Sequence, residues 1–244
     1  MQYNKLLNKK LKEKEVLVVS HRGFAGGNIV LNTISAMQNA INCGADILEL
    51  DISLSADGEF FVFHQNMEPR KLLTSKKISQ MTAAKINSLP LYNNAFKKTK
   101  AQVPTLAQML EFLSGKDILI NIDKCDKIGK KVLEKLDQYD LEEQLLVKGV
   151  CRDQFLETVN QHPKDYMFMP IVKSRADIEK TLKYKNLNIV GFEFIFETQN
   201  NELLSQELIA ELKERGYFVW VNAINLGKGK YLSADFNDDK SILV

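Results

Sequence analysis

Two of the three histidines, His21 and His64, stand with Glu49 and Asp51 at or near the ends of short apolar runs. These residue types can ligate a metal, move a proton or grip a phosphate. Glu49 and Asp51 are two apart in the run Ile47–Leu54, so on a strand both point to one face while Leu48, Leu50 and Ile52 point to the other. Two neighbouring carboxylates inside a protein repel each other and are costly to bury unless a cation neutralises them. A hard divalent cation held by oxygen ligands, Mg²⁺ or Ca²⁺, answers that need. His21 precedes Glu49 by 28 residues and His64 follows it by 15. Imidazoles on opposite sides of a phosphorus can serve as base and acid. Arg22 adds a guanidinium suited to a phosphate; the chain must turn there for Arg22 to join His21, and Gly23 and Gly26-Gly27 permit such a turn.

The elements that position these residues follow from periodicity. Short apolar runs alternate with longer amphipathic segments, the pattern of an α/β fold with parallel strands. Strands are expected at Val16–Ser20, Ile47–Leu54, Phe60–His64, Ile118–Asp123, Leu145–Val150, Tyr166–Val172, Ile189–Phe196 and Tyr217–Val221. Helices are expected over 33–42, 105–114, 127–138, 152–161, 175–184 and 204–215. A TIM-type (β/α)8 barrel places chemistry at the strand ends of one rim. With Phe60–His64 set aside as a short return after the Asp57-Gly58 turn, seven barrel strands are counted, and the residues after Val221 are too few for another strand and its helix. The barrel is therefore expected to lack its last strand and helix. Its open edges would favour self-association.

All 244 residues are read as a single domain with an inserted loop region at about 65–103. Lysine and arginine (33) nearly balance aspartate and glutamate (31), and a net charge of +2 gives no argument for nucleic acid or an anionic membrane surface as the main partner. No segment reaches the roughly 20 apolar residues of a transmembrane helix, and the N-terminus has no apolar signal region. Cys43, Cys125 and Cys151 have no metal-type spacing and are read as free thiols. A cytoplasmic location is expected.

His21-Arg22-Gly23, Asn32-Thr33, Gly44-Ala45-Asp46, Glu49-Leu50-Asp51, Asp57-Gly58 and Phe63-His64, followed by Val103-Pro104-Thr105-Leu106 and Asn121-Ile122-Asp123, form an ordered set. That set resembles the glycerophosphodiester phosphodiesterase family over nearly the whole chain. The resemblance implies a TIM-type barrel, one divalent cation, and hydrolysis of a small glycerophosphodiester to glycerol 3-phosphate and an alcohol. It makes His21 and His64 the acid/base pair, and Glu49, Asp51 and Asp123 the metal ligands.

This chain departs from the family pattern at Leu31, where a glutamate is usual, at Gln65, where an aspartate is usual, and at Cys125, where a lysine is usual. Strand alternation points Lys124 to the other face, so Lys148, near the end of the Leu145–Val150 strand, is the candidate to reach the phosphate instead. Trp220 is a candidate wall of the substrate pocket. The rival readings are a phospholipase D-like lyase that stops at a cyclic phosphate, and a catalytically silent binding module. Amidohydrolases are disfavoured because no His-x-His occurs.

Overall fold

The computed structural model describes residues 4–14, 16–196 and 200–221, in two compact units, Asn4–Val147 and a second that begins at Lys148. The expectation of a missing eighth strand falls on residues 222–244, outside the described residues.

The first unit opens with a helix that periodicity did not announce, α1 (Lys5–Glu13), capped by the Asn4 side chain, which accepts from the Leu7 amide. Its inner face buries Leu7 and Lys10. The Lys10 ammonium donates to the Asp117 carbonyl at 2.9 Å and lies 3.9 Å from Asp46. Asp46 also takes Lys14 Nζ at 2.7 Å and the Val18 amide at 2.9 Å. This carboxylate fastens the helix to the start of strand β1 (Val19–His21). The strand expected at Val16–Ser20 is thus shifted toward His21, and Val16 and Val18 are exposed.

Helix α2 (Ile34–Asn42) is capped by Thr33 and ends before Gly44, whose φ of +86° fits the left-handed position past a helix. Strand β2 (Ile47–Leu54) has the expected bounds and returns antiparallel as β3 (Phe60–Val62). The region 65–103 is more ordered than its weak periodicity implied. It contains α3 (Glu68–Lys71), a 3₁₀ turn and α4 (Ala83–Ser88), over an apolar cluster that includes Phe61, Phe63, Leu72, Ile78 and Leu91. Buried Glu68 accepts the Ile78 amide and ties the 3₁₀ turn to α3.

Helix α5 (Leu106–Leu113) starts at a Thr105/Gln108 capping box. Strand β4 (Leu119–Asp123) follows, then α6 (Cys125–Ile128) and α7 (Lys130–Leu136). The single helix expected over 127–138 is broken because Gly129 sits at φ +71°. Strand β5 (Leu145–Val150) completes this unit with its first three residues. β1, β2, β4 and β5 run parallel, with His21 beside Glu49, Glu49 beside Asn121, and Asp51 beside Asp123. The register stacks the polar residues in rows, while Leu48, Leu50, Ile52, Ile120 and Ile122 are buried on alternate positions.

The second unit contains α8 (Asp153–Asn160), β6 (Met167–Val172), α9 (Arg175–Thr181), the short β7 (Asn188–Ile189), β8 (Gly191–Phe194), α10 (Gln206–Glu214) and β9 (Phe218–Val221). The strand expected at Ile189–Phe196 is interrupted at Val190, which separates β7 from β8. β7 and β8 both pair parallel with β6, and β9 pairs parallel with β8, setting Glu193 beside Trp220.

Candidate active site

The first unit gathers six of the expected site residues. Glu49 and Asp51 reach one face of β2 by alternation, and the β2–β4 register brings Asp123 beside Asp51. One oxygen from each of Glu49, Asp51 and Asp123 lies within 4.8 Å of the others, and all three residues are buried. Asp51 Oδ1 is buried and accepts no hydrogen bond. Three buried carboxylates with such an oxygen suit one hard divalent cation.

Asp51 is the hub. Arg22 Nε lies 2.7 Å from its Oδ2, and the Asn32 side-chain amide donates to the same oxygen at 2.9 Å. Lys124 pairs closely with Asp123 Oδ2 and reaches within 4.0 Å of Asp51 Oδ1. Arg22, Asn32 and Lys124 have φ of +61°, +60° and +71°. A non-glycine residue pays a conformational cost in this left-handed region, and such residues concentrate at functional sites. Here the positive φ reverses the outcome of strand alternation. Arg22, next to His21, turns back to Asp51, and Lys124, expected on the other face, turns back into the carboxylates. Gly23 makes the first turn possible: its φ is +80°, and a Cβ there would lie 2.7 Å from the Ala36 carbonyl carbon.

The two histidines flank the carboxylates. His21 Nε2 is 3.9 Å from Glu49 Oε1 with its side chain about half exposed, and His64 Nε2 is 3.9 Å from Asp51 Oδ1. Burial pushes His64 below the ordinary imidazole value; the Asp51 charge opposes this, while Arg22 and Lys124 add to it. A small cleft opens beside Arg22 and His64, lined by Leu31, Met67, Lys71 and Leu91 among others. Leu31 makes this wall apolar where the family pattern has a carboxylate.

Lys148 and Trp220 lie in the second unit and meet each other there. Buried Lys148 pairs with buried Glu193 at 2.9 Å, and its ammonium stands 5.0 Å from the centre of the Trp220 ring. Lys148 is thus already engaged by a carboxylate. Sequence reasoning passed over Lys124 and Asn32 as site residues. The readiness of Asn to adopt the left-handed conformation was a usable signal for Asn32; Lys124 carried none.

The chain is similar in fold to a glycerophosphoryl diester phosphodiesterase from Parabacteroides distasonis, with a TM-score of 0.72 at 19% identity over 87% of this chain and 74% of that one. It is similarly close to an Oleispira antarctica phosphodiesterase solved in complex with the product sn-glycerol-3-phosphate, with a TM-score of 0.67 at 21% identity over 86% of this chain and 85% of that one. The fold class is accordingly α/β, of the TIM-type (β/α)8 barrel kind. Among the described residues, β1, β2, β4 and β5 run parallel in the first unit, and β6, β7, β8 and β9 run parallel in the second.

The profile of the Glycerophosphoryl diester phosphodiesterase family matches residues 21–226, and the chain belongs to that family. A curated relative, the glycerophosphodiester phosphodiesterase of Caldanaerobacter subterraneus, is 29% identical over 142 residues, which are 55% of this chain and 58% of the relative. The chain spans a little over half the length of this relative.

Proposed function

We propose that the protein hydrolyses small glycerophosphodiesters to glycerol 3-phosphate and an alcohol, with one bound divalent cation, Mg²⁺ or Ca²⁺. The observation that carries this reading is the buried trio Glu49, Asp51 and Asp123, flanked on two sides by imidazoles 3.9 Å away. The trio would hold the cation, which when bound neutralises the phosphate and acidifies a hydroxyl. Arg22 commits Nε to Asp51 and leaves its terminal nitrogens for a phosphate oxygen. The substrate's own glycerol hydroxyl attacks phosphorus, one histidine taking its proton and the other protonating the leaving alcohol, each worth about 10²–10⁴-fold in rate. Water then opens the cyclic phosphate to glycerol 3-phosphate. The depressed basicity of His64 favours the neutral ring, which can accept a proton, at physiological pH. Lys148 and Trp220 form a charge-and-ring cluster with Glu193 within the second unit.

We read residues 1–244 as one catalytic domain carrying the 65–103 insertion. We read the location as cytoplasmic from an odd set of three cysteines, of which Cys125 and Cys151 donate their thiols to the Ile122 and Ile171 carbonyls. No helix among the described residues is long and apolar enough to cross a membrane. Self-association through the β1 edge is supported by the exposed Val16 and Val18.

The test is release of glycerol 3-phosphate from glycerophosphocholine, with Mg²⁺ or Ca²⁺ and with a chelator. We expect metal-dependent release that His21→Ala or His64→Ala lowers by at least about 100-fold. Asp51→Asn should weaken cation binding at least about tenfold by calorimetry, because it removes a ligand charge. Accumulation of a cyclic phosphate would favour the lyase reading. A metal-binding but inactive parent would favour a silent binding module.

A further inference from the structure

The insertion between Gln65 and Val103 carries eight lysines and arginines against one acid, Glu68. The net charge of only +2 therefore conceals a strongly basic segment set against a net acidic remainder. Lys71 is buried; the other seven cations are exposed, and none of them forms an ion pair with a carboxylate among the described residues. Glu68 does not answer them, since it is buried against the Ile78 amide.

The same insertion exposes two large apolar side chains, Leu73 (53%) and Phe96 (60%). Both sit at positive φ, +49° and +55°, a conformation that bulky L-residues rarely adopt. The Phe96 turn is firmly built. The Phe96 amide donates to the Asn93 carbonyl at 3.1 Å, and Asn93 Oδ1 accepts the Ala95 and Lys97 amides at 3.0 and 2.9 Å. The Asn93 side-chain amide also donates to Gly27 O and Asn28 Oδ1, in the loop that exposes Phe24 (54%). Lys71 joins the third segment: its carbonyl accepts the Tyr92 amide and its ammonium donates to Asn94 Oδ1. Three apolar side chains are thus displayed on segments tied to one another, amid uncompensated lysines.

We propose that this face docks on an anionic lipid surface. The lysines meet the headgroup charges, and Leu73, Phe96 and Phe24 enter the apolar boundary beneath. A nucleic acid would engage the lysines and stack a ring, yet it would leave the Leu73 side chain in water. Met67 and Lys71 also line the cleft beside His64, so docking would turn that cleft toward the headgroups. Docking itself does not depend on the proposed activity and is read without turnover.

The experiment is co-sedimentation of the full chain with vesicles of phosphatidylcholine alone or mixed with phosphatidylglycerol. We expect binding to the mixed vesicles only, abolished near 1 M salt, where screening acts within about 3 Å. Leu73→Asn with Phe96→Asn keeps residues that tolerate the left-handed turn and should lower partitioning at least about tenfold. Lys97→Gln, Lys98→Gln and Lys100→Gln should each lower it roughly five-fold, with the unfolding temperature of every variant unchanged. Equal partitioning on both vesicle types, no partitioning at all, or undiminished partitioning of the Asn variant would overturn the proposal. Lysine-dependent binding to a single-stranded oligonucleotide without vesicle binding would overturn it in favour of nucleic acid.

Discussion

At the scale of single residues, Lys124 has a double relation to the site. Its ammonium and a divalent cation seek the same oxygens, those of Asp123 and Asp51. The lysine offsets repulsion among three buried carboxylates, and a divalent cation bound there, as proposed, would do the same. We therefore expect Lys124→Met to lower the unfolding temperature by several degrees in chelator and by clearly less with saturating Mg²⁺. Scanning calorimetry under both conditions checks this, and equal shifts would remove Lys124 from the charge balance of the site. Glu49 and Asp51, which period-2 alternation controls, were legible in the sequence because a strand leaves no choice of face, and Asp123 was legible through the family resemblance. Arg22, Asn32 and Lys124 depend on local reversals at positive φ, which alternation cannot express.

At the scale of elements, strands β2 and β5 have the bounds read from their apolar runs, since fully buried strands are written in continuous hydrophobic stretches. Helix α1 was missed because its charged composition hides a narrow buried face, part of which is a lysine stem. That helix is held through Asp46. Burial alone would raise the Asp46 carboxyl, but Lys14, the Val18 amide and the charge of Lys10 together hold it below the ordinary aspartate value of 3.8. A carboxyl depressed on folding adds stability above its unfolded value, and that contribution fades as the pH falls through the folded one. Asp46→Asn should therefore cost on the order of 1–3 kcal/mol at neutral pH. The difference from the parent should shrink below about pH 4, as urea titrations at the two pH values would reveal. A difference independent of pH would mean that the Asp46 charge does not contribute.

At the scale of the whole molecule, the overall charge balance obscured a division that only position reveals, a basic insertion on an otherwise acidic chain. β2, β4, β5, β6 and β8 were legible as buried apolar runs, whereas β1 and β9 are only partly buried. The exposed Val16 and Val18 next to β1 were not legible, because they read as part of a buried strand. β1 pairs only with β2 among the described residues. Val16→Lys with Val18→Lys should shift any self-associated protein toward monomer in light scattering, as lysines on edges do elsewhere; an unchanged mass distribution would clear this edge. One further consequence concerns time. Glu49, Asp51 and Asp123 all belong to the unit that ends at Val147, so a ribosome delivers all three carboxylates of the candidate cation site before it has finished the chain. A nascent chain that captures its ion at that stage gains a folding ligand early. On the proposed function, cellular supply of a divalent cation would then govern how much of the protein matures.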